Sequence, residues 1–141
     1  MKNKGFTLIE ASVAIAIIVL LVIIILFSID AIKSKGRDIC RISDIKLIQE
    51  GLSMYYNEYS SYPDSEGSIE IDRSNDLMSL ALINSEVMFG VPIDPLNKEI
   101  DGVTYKYYYE SLFDQSDYEL IFYLETDSIL NRVQGENIIY P

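Results

Sequence analysis

From Phe6 to Ile29 the chain is almost wholly apolar, and the only charge inside that run is Glu10. Ala11 to Ile29 carries none, and at about 1.5 Å per helical residue this stretch crosses a hydrocarbon core of about 30 Å. A cleaved secretory signal has a shorter apolar core, about 7–15 residues, ending at a small-x-small site. Ser28-Ile29-Asp30-Ala31 is a poor version of that site, so the pattern predicts a retained membrane anchor.

Helical periodicity continues past the apolar run. Ile32, Ile39, Ile42, Ile45, Ile48, Leu52, Tyr55 and Tyr59 recur mostly at three- and four-residue steps, which predicts one apolar stripe on a continuing helix. The charges between them, Arg37, Asp38, Arg41, Asp44, Lys46 and Glu50, read as solvated faces and subunit contacts. Gly36 and Gly51 each weaken a helix by about 1 kcal/mol relative to alanine and are places for gentle bending. With no proline before Pro63, a helix from Phe6 to about Tyr59 would be roughly 80 Å long. Pro63 disfavours helix at Tyr62 and ends it.

Beyond that point the period changes. Ser74-Asn75-Asp76 offers a cap for a short helix through Leu77, Met78, Leu80, Ala81 and Leu82, and Gly90 to Pro95 breaks it. Val103, Tyr105, Tyr107 and Tyr109 alternate with Thr104, Lys106, Tyr108 and Glu110, and Tyr118, Leu120, Phe122 and Leu124 alternate with Glu119, Ile121, Tyr123 and Glu125. Two antiparallel strands joined through Ser111 to Asp117 follow, with a third at Ile129 to Val133 or at Asn137 to Tyr140. The fold class is therefore α+β: a long N-terminal transmembrane and amphipathic helix packed on a small antiparallel β-sheet head. About 110 residues after the span suffice for one small core and not for two ordinary domains.

Charge separates the two ends. Residues 1–46 hold seven Lys/Arg against four Asp/Glu, net +3, and residues 47–141 hold four against eighteen, net −14. A head that acidic repels phosphate backbones, so no direct nucleic-acid partner is expected, and its solubility outside the membrane follows. Cys40 is the single cysteine and has no intrachain disulfide partner; its helical setting suggests a packed thiol. The chain has no histidine, which excludes Ser-His-Asp and Cys-His catalysis and the common histidine-based zinc sites. Paired carboxylates on an exposed head are weak evidence for hydrolysis, and no enzyme activity is expected.

Lys4-Gly5-Phe6-Thr7-Leu8-Ile9-Glu10 ahead of an apolar run resembles the class III signal of type IV prepilins and type II secretion pseudopilins. Tyr62-Pro63 after the long helix and Pro92-Ile93-Asp94-Pro95 before the tyrosine-rich strands also look like major pseudopilin heads. The resemblance implies a leader of residues 1–5, a transmembrane and filament-core helix over 6–29, an amphipathic continuation over 30–59, and an αβ-loop and sheet over 60–141. It implies cleavage between Gly5 and Phe6 by a prepilin peptidase that also methylates the new Phe6 amine. It gives Glu10 a partner as well, the Phe6 amine of an adjacent subunit, so that one buried charge sets assembly register. The remaining implied partners are the lipid bilayer, an inner-membrane assembly platform and other copies of the chain. The subunit would be a single-pass membrane protein, N-terminus cytoplasmic, before entering a pilus, fimbrium or secretion pseudopilus at the cell surface or in the periplasm. The chain departs from many members of the family in having no proline within the apolar segment.

Lys33, Lys35, Arg37 and Arg41 follow the span and make the flanking-charge rule ambiguous. The motif and the acidic remainder place the C-terminal part outside. Asn97, Glu99, Asp101 and Gly102 approach the opening of an EF-hand loop, but Tyr108 occupies the position of its bidentate glutamate. Members of the family often hold one structural calcium in the head. Asp94, Glu99, Asp101 and Asp127 are the unranked ligands on offer, with solvated turn carboxylates as the alternative reading; no other cofactor is expected. The eleven tyrosines fit amphipathic core and interface positions. A different class of reading is a monomeric signal-anchored protein whose acidic head binds a partner or an ion.

Overall fold

The computed structural model describes residues 7–141, and the chain divides into two compact units, Met1–Ser34 and Lys35–Pro141. Helix α1 runs Leu8–Tyr59 without interruption, as an apolar run free of proline allows. In the first unit the large apolar side chains from Leu8 to Leu26 are exposed, Ile9, Ile15, Ile18 and Leu21 among them. Two hydroxyls in this stretch satisfy themselves on the helix backbone: Ser12 Oγ donates to the Ile9 carbonyl at 2.8 Å and Ser28 Oγ to the Ile24 carbonyl at 3.0 Å. Such back-bonding is what polar side chains need where water is absent.

The second unit is α+β, as the periodicity predicts. Strand β1 is Ile69–Glu70, α2 is Leu77–Asn84, β2 is Lys98–Ile100, β3 is Val103–Tyr105, β4 is Tyr108–Leu112, β5 is Asp117–Leu124 and β6 is Gly135–Ile139. Four strands form one sheet in the order β1-β4-β5-β6, all pairs antiparallel, while β2 and β3 form a separate hairpin. Tyr118, Leu120, Phe122 and Leu124 of β5 are buried at every second position. They share one core with Tyr109 of β4, Tyr107 just before it, Met78 and Leu82 of α2, and Ile45, Ile48 and Leu52 of α1. Tyr109 Oη donates to the Pro63 carbonyl at 2.7 Å, so the buried phenol is satisfied and ties the end of the helix to the sheet.

Local chemistry fixes the smaller elements. Asp76 caps α2 by accepting from Ser79 N at 2.8 Å, the role its place in Ser74-Asn75-Asp76 predicts. Asp72 Oδ1 accepts from the backbone N–H groups of Asn75 and Asp76 and closes the preceding turn. Those backbone donors, Asn75 first, hold the Asp72 carboxyl below its ordinary value.

The structure corrects some sequence expectations and narrows others. The strand read through Val103 to Glu110 is two strands: Asp101 and Gly102, both at positive φ, turn β3 back on β2, and the chain breaks at Lys106 before β4 begins. The third strand is Gly135–Ile139, close to the second of the two positions offered, and residues 129–133 are a loop. Gly51 serves close packing, since a Cβ there would lie 2.5 Å from Met88 Sδ. Cys40 is exposed, not packed, because the buried face of α1 turns away from it.

Candidate functional site

Among the described residues two constellations of charged side chains bear on function. The first is at the start of α1. Thr7 Oγ1 accepts from Glu10 N at 3.2 Å, while the Glu10 carboxylate accepts from Thr7 N and Thr7 Oγ1, each at 2.8 Å. Thr7 is the N-cap and Glu10 the third helical residue, so the pair forms a reciprocal capping box. The anionic side chain also lies at the positive end of the helix dipole. The carboxylate is exposed, in a segment where every neighbouring large side chain is apolar. An ionised group at mid-depth in a bilayer costs roughly 2.5–3.5 kcal/mol, and a cap of this kind offsets part of that cost for any helix that enters a bilayer at such a carboxylate. Gly5 and Phe6, where cleavage and methylation are expected, lie outside the described residues.

The second constellation is inside the head. Arg41 and Asp38 are both 0% exposed, which corrects the expectation that they sit on a solvated face. They fall on the spacing 38, 41, 45, 48, 52, the same three- and four-residue steps that bury Ile45, Ile48 and Leu52. Ile32 and Ile39, read as part of the stripe, are exposed instead.

Arg41 forks onto Asp94 through Nε at 2.6 Å and Nη2 at 3.1 Å, and its Nη1 donates to Asp38 Oδ1 and Glu125 Oε1, each at 2.7 Å. Arg37 approaches the same Glu125 through Nε at 2.7 Å and Nη2 at 2.5 Å. Asp38 also accepts from the backbone N–H groups of Glu125 and Thr126, each at 2.9 Å, and from Thr126 Oγ1. Asp94 further accepts from Leu96 N at 2.7 Å. The Arg41 guanidinium lies 5.0 Å from the centroid of the Tyr105 ring.

Burial alone would lower the affinity of Arg41 for its proton, but the bonds to Asp94, Glu125 and Asp38 prevail and raise it. Arg41 thus remains a cation in the core. Next to this network, Tyr107 Oη donates to Asp44 Oδ2 at 3.0 Å. Burial pushes the Asp44 carboxyl above its ordinary value, the Tyr107 bond opposes that rise, and the charge of Asp94 adds to it.

The network holds three segments that are distant in sequence: α1, the Pro92–Pro95 loop and the end of β5. Its chemistry is structural, because every charged group faces another protein group. Of the residues considered for calcium, Asp94 is committed to Arg41, Glu99 is exposed on β2, and Asp101 sits in the β2–β3 turn at φ 51°. Asp127 accepts from Gln134 N at 2.7 Å. Among the described residues no three acidic, cysteine or histidine side chains gather as a metal site.

Residues 1–26 match the family model of the prokaryotic N-terminal methylation motif, the class III signal of type IV pilins and pseudopilins. No curated protein and no solved structure matches the chain. Among the described residues one helix, Leu8–Tyr59, is long and apolar enough to cross a membrane.

Proposed function

We propose that the chain is the precursor of a structural filament subunit, a type IV pilin or a type II secretion pseudopilin, cleaved between Gly5 and Phe6 and methylated on Phe6 by a prepilin peptidase. The observation that carries this reading is the methylation motif lying on a helix segment, Leu8 to Leu26, whose large apolar side chains are exposed and among which Glu10 is the one carboxylate. A monomeric anchor needs only the apolar run. A polymer needs a surface that passes from lipid to other helices, and a charge that favours one stagger over the rest.

In the membrane Glu10 is held by its own Thr7. During assembly the carboxylate turns to the Phe6 amine of the next subunit, helices bundle in the filament interior, and the acidic heads face water. The work is mechanical, and the partners are other copies of the chain, the peptidase, the bilayer and an inner-membrane assembly platform. Co-expression with a prepilin peptidase tests this directly. Mass spectrometry is expected to show loss of residues 1–5 and one added methyl on Phe6, and an uncut chain would overturn the proposal. Glu10→Ala is expected to insert in the membrane and be cut, yet to give no regular filaments by electron microscopy.

A further inference from the structure

The head carries an uncovered aromatic side chain at one turn and an unfilled apolar groove at another place. Phe113, in the turn between β4 and β5, is 78% exposed. Phe113, Asp114 and Gln115 are three consecutive residues at positive φ, 47°, 53° and 67°, with no glycine among them. That backbone is fixed: the Gln115 carbonyl accepts from Tyr62 N at 2.8 Å, and the Phe113 carbonyl accepts from Ser116 Oγ at 2.8 Å. The turn is a rigid mount that presents a ring and a carboxylate side by side.

The groove, about 470 Å³, lies where Leu47 of α1 and Ile83 of α2 meet Val91 and Pro92. Phe89 stands fully exposed at its wall, and Arg73 is at its rim. Arg73 is exposed at φ 85° and has no ion-pair partner among the described residues. It is one of four cations against eighteen carboxylates in residues 47–141, so this rim is one of few places where an acidic segment is welcome.

We propose that the Phe113 turn of one copy docks in the groove of a second copy, the ring against Leu47, Ile83 and Pro92 and the Asp114 carboxylate on Arg73. The exposure of Phe113 means that its own groove does not receive it. Knob and groove are different surfaces, so the contact is heterologous and repeats as an open chain, not as a closed dimer. The inference rests on the filament reading and names a head-to-head contact within it. Apolar insertion supplies the attraction, and the Asp114–Arg73 pair selects orientation between two heads that otherwise repel.

The test uses the full chain, co-expressed with the peptidase and assembly platform, in a Cys40→Ser background. Phe113→Cys with Leu47→Cys is expected to give an oxidation-dependent ladder of dimers and larger species, whereas either cysteine alone gives none beyond a dimer. Asp114→Arg and Arg73→Asp are each expected to lower filament yield about tenfold, as loss of an interface anchor does, and to restore it when combined. Filaments at full yield from Phe113→Ser, with no cross-link between positions 113 and 47, overturn the contact and leave the filament reading standing. An uncut chain that forms neither filaments nor cross-links overturns both. A cross-linked band containing a different protein overturns the assignment of a second copy as the occupant.

Discussion

Arg41 is the residue on which the head turns. Its side chain is fully buried and meets three carboxylates from three segments, so replacing it leaves Asp38, Asp94 and part of Glu125 charged and without their main cation. Breaking one partner out of such a network costs about 3–5 kcal/mol, far more than a surface ion pair, which is worth about 0–1 kcal/mol. Arg41→Met, which keeps most of the apolar stem, is therefore expected to destabilise the full chain in detergent by about 3–5 kcal/mol in chemical denaturation. A change below about 1 kcal/mol would mean that the network contributes no net stability. The spacing of Asp38 and Arg41 with Ile45, Ile48 and Leu52 was visible in the sequence, and so was the Pro92–Pro95 segment that supplies Asp94. Their pairing was not, because charged side chains at those positions read by default as solvent-facing.

At the scale of elements, periodicity located α1 and β5 well because each buries one face along its whole length. The segment from Val103 to Glu110 failed for a stated reason: an unbroken two-residue alternation hides a change of partner strand, and the signal for that change was the Asp101-Gly102 pair just before it. Gly51 gives the test at this scale, since α1 and the loop after α2 approach closely there. A Cβ at position 51 would meet Met88 Sδ at 2.5 Å and Cγ at 3.1 Å. Helix propensity pulls the other way, favouring alanine by about 1 kcal/mol. Gly51→Ala is expected to change stability by less than about 0.5 kcal/mol in the native background, because the helix gain is offset by the shift of the flexible Met88 side chain. With Met88→Ala already present, the same change is expected to raise stability by about 0.5–1 kcal/mol. Thermal melts of the four variants give the coupling between the two sites, and identical effects of Gly51→Ala in both backgrounds would show that the loop does not rest on the helix.

Taken whole, the chain joins an apolar helix segment to a head of net −14 over residues 47–141 that relies on packing without any disulfide. That packing is unusually phenolic: Tyr62, Tyr107, Tyr109 and Tyr118 all lie in the core, with the Tyr62 and Tyr118 rings 4.7 Å apart edge to face. Burial pushes each of these four phenols above the ordinary tyrosine value of 10.0, and in Tyr107 the charge of Asp44 adds to the effect. The proton is thus held more tightly by the folded head than by the unfolded chain. The stability these groups contribute is fully present below pH 10 and is lost as pH rises from there toward their folded values. Tyr123 behaves differently, since its half-exposed phenol is pushed up to about 12 chiefly by donating to Glu136, at the surface of the sheet. Alkaline titration of the full chain in detergent is expected to show two phases in tyrosinate absorbance. Exposed phenols ionise gradually near pH 10, and the core group appears in one cooperative step at higher pH, together with loss of β-sheet circular dichroism. A single smooth titration of all eleven tyrosines with the dichroism unchanged would show that the core phenols are open to water in the folded head, and the packing of α1 on the sheet would have to be redrawn.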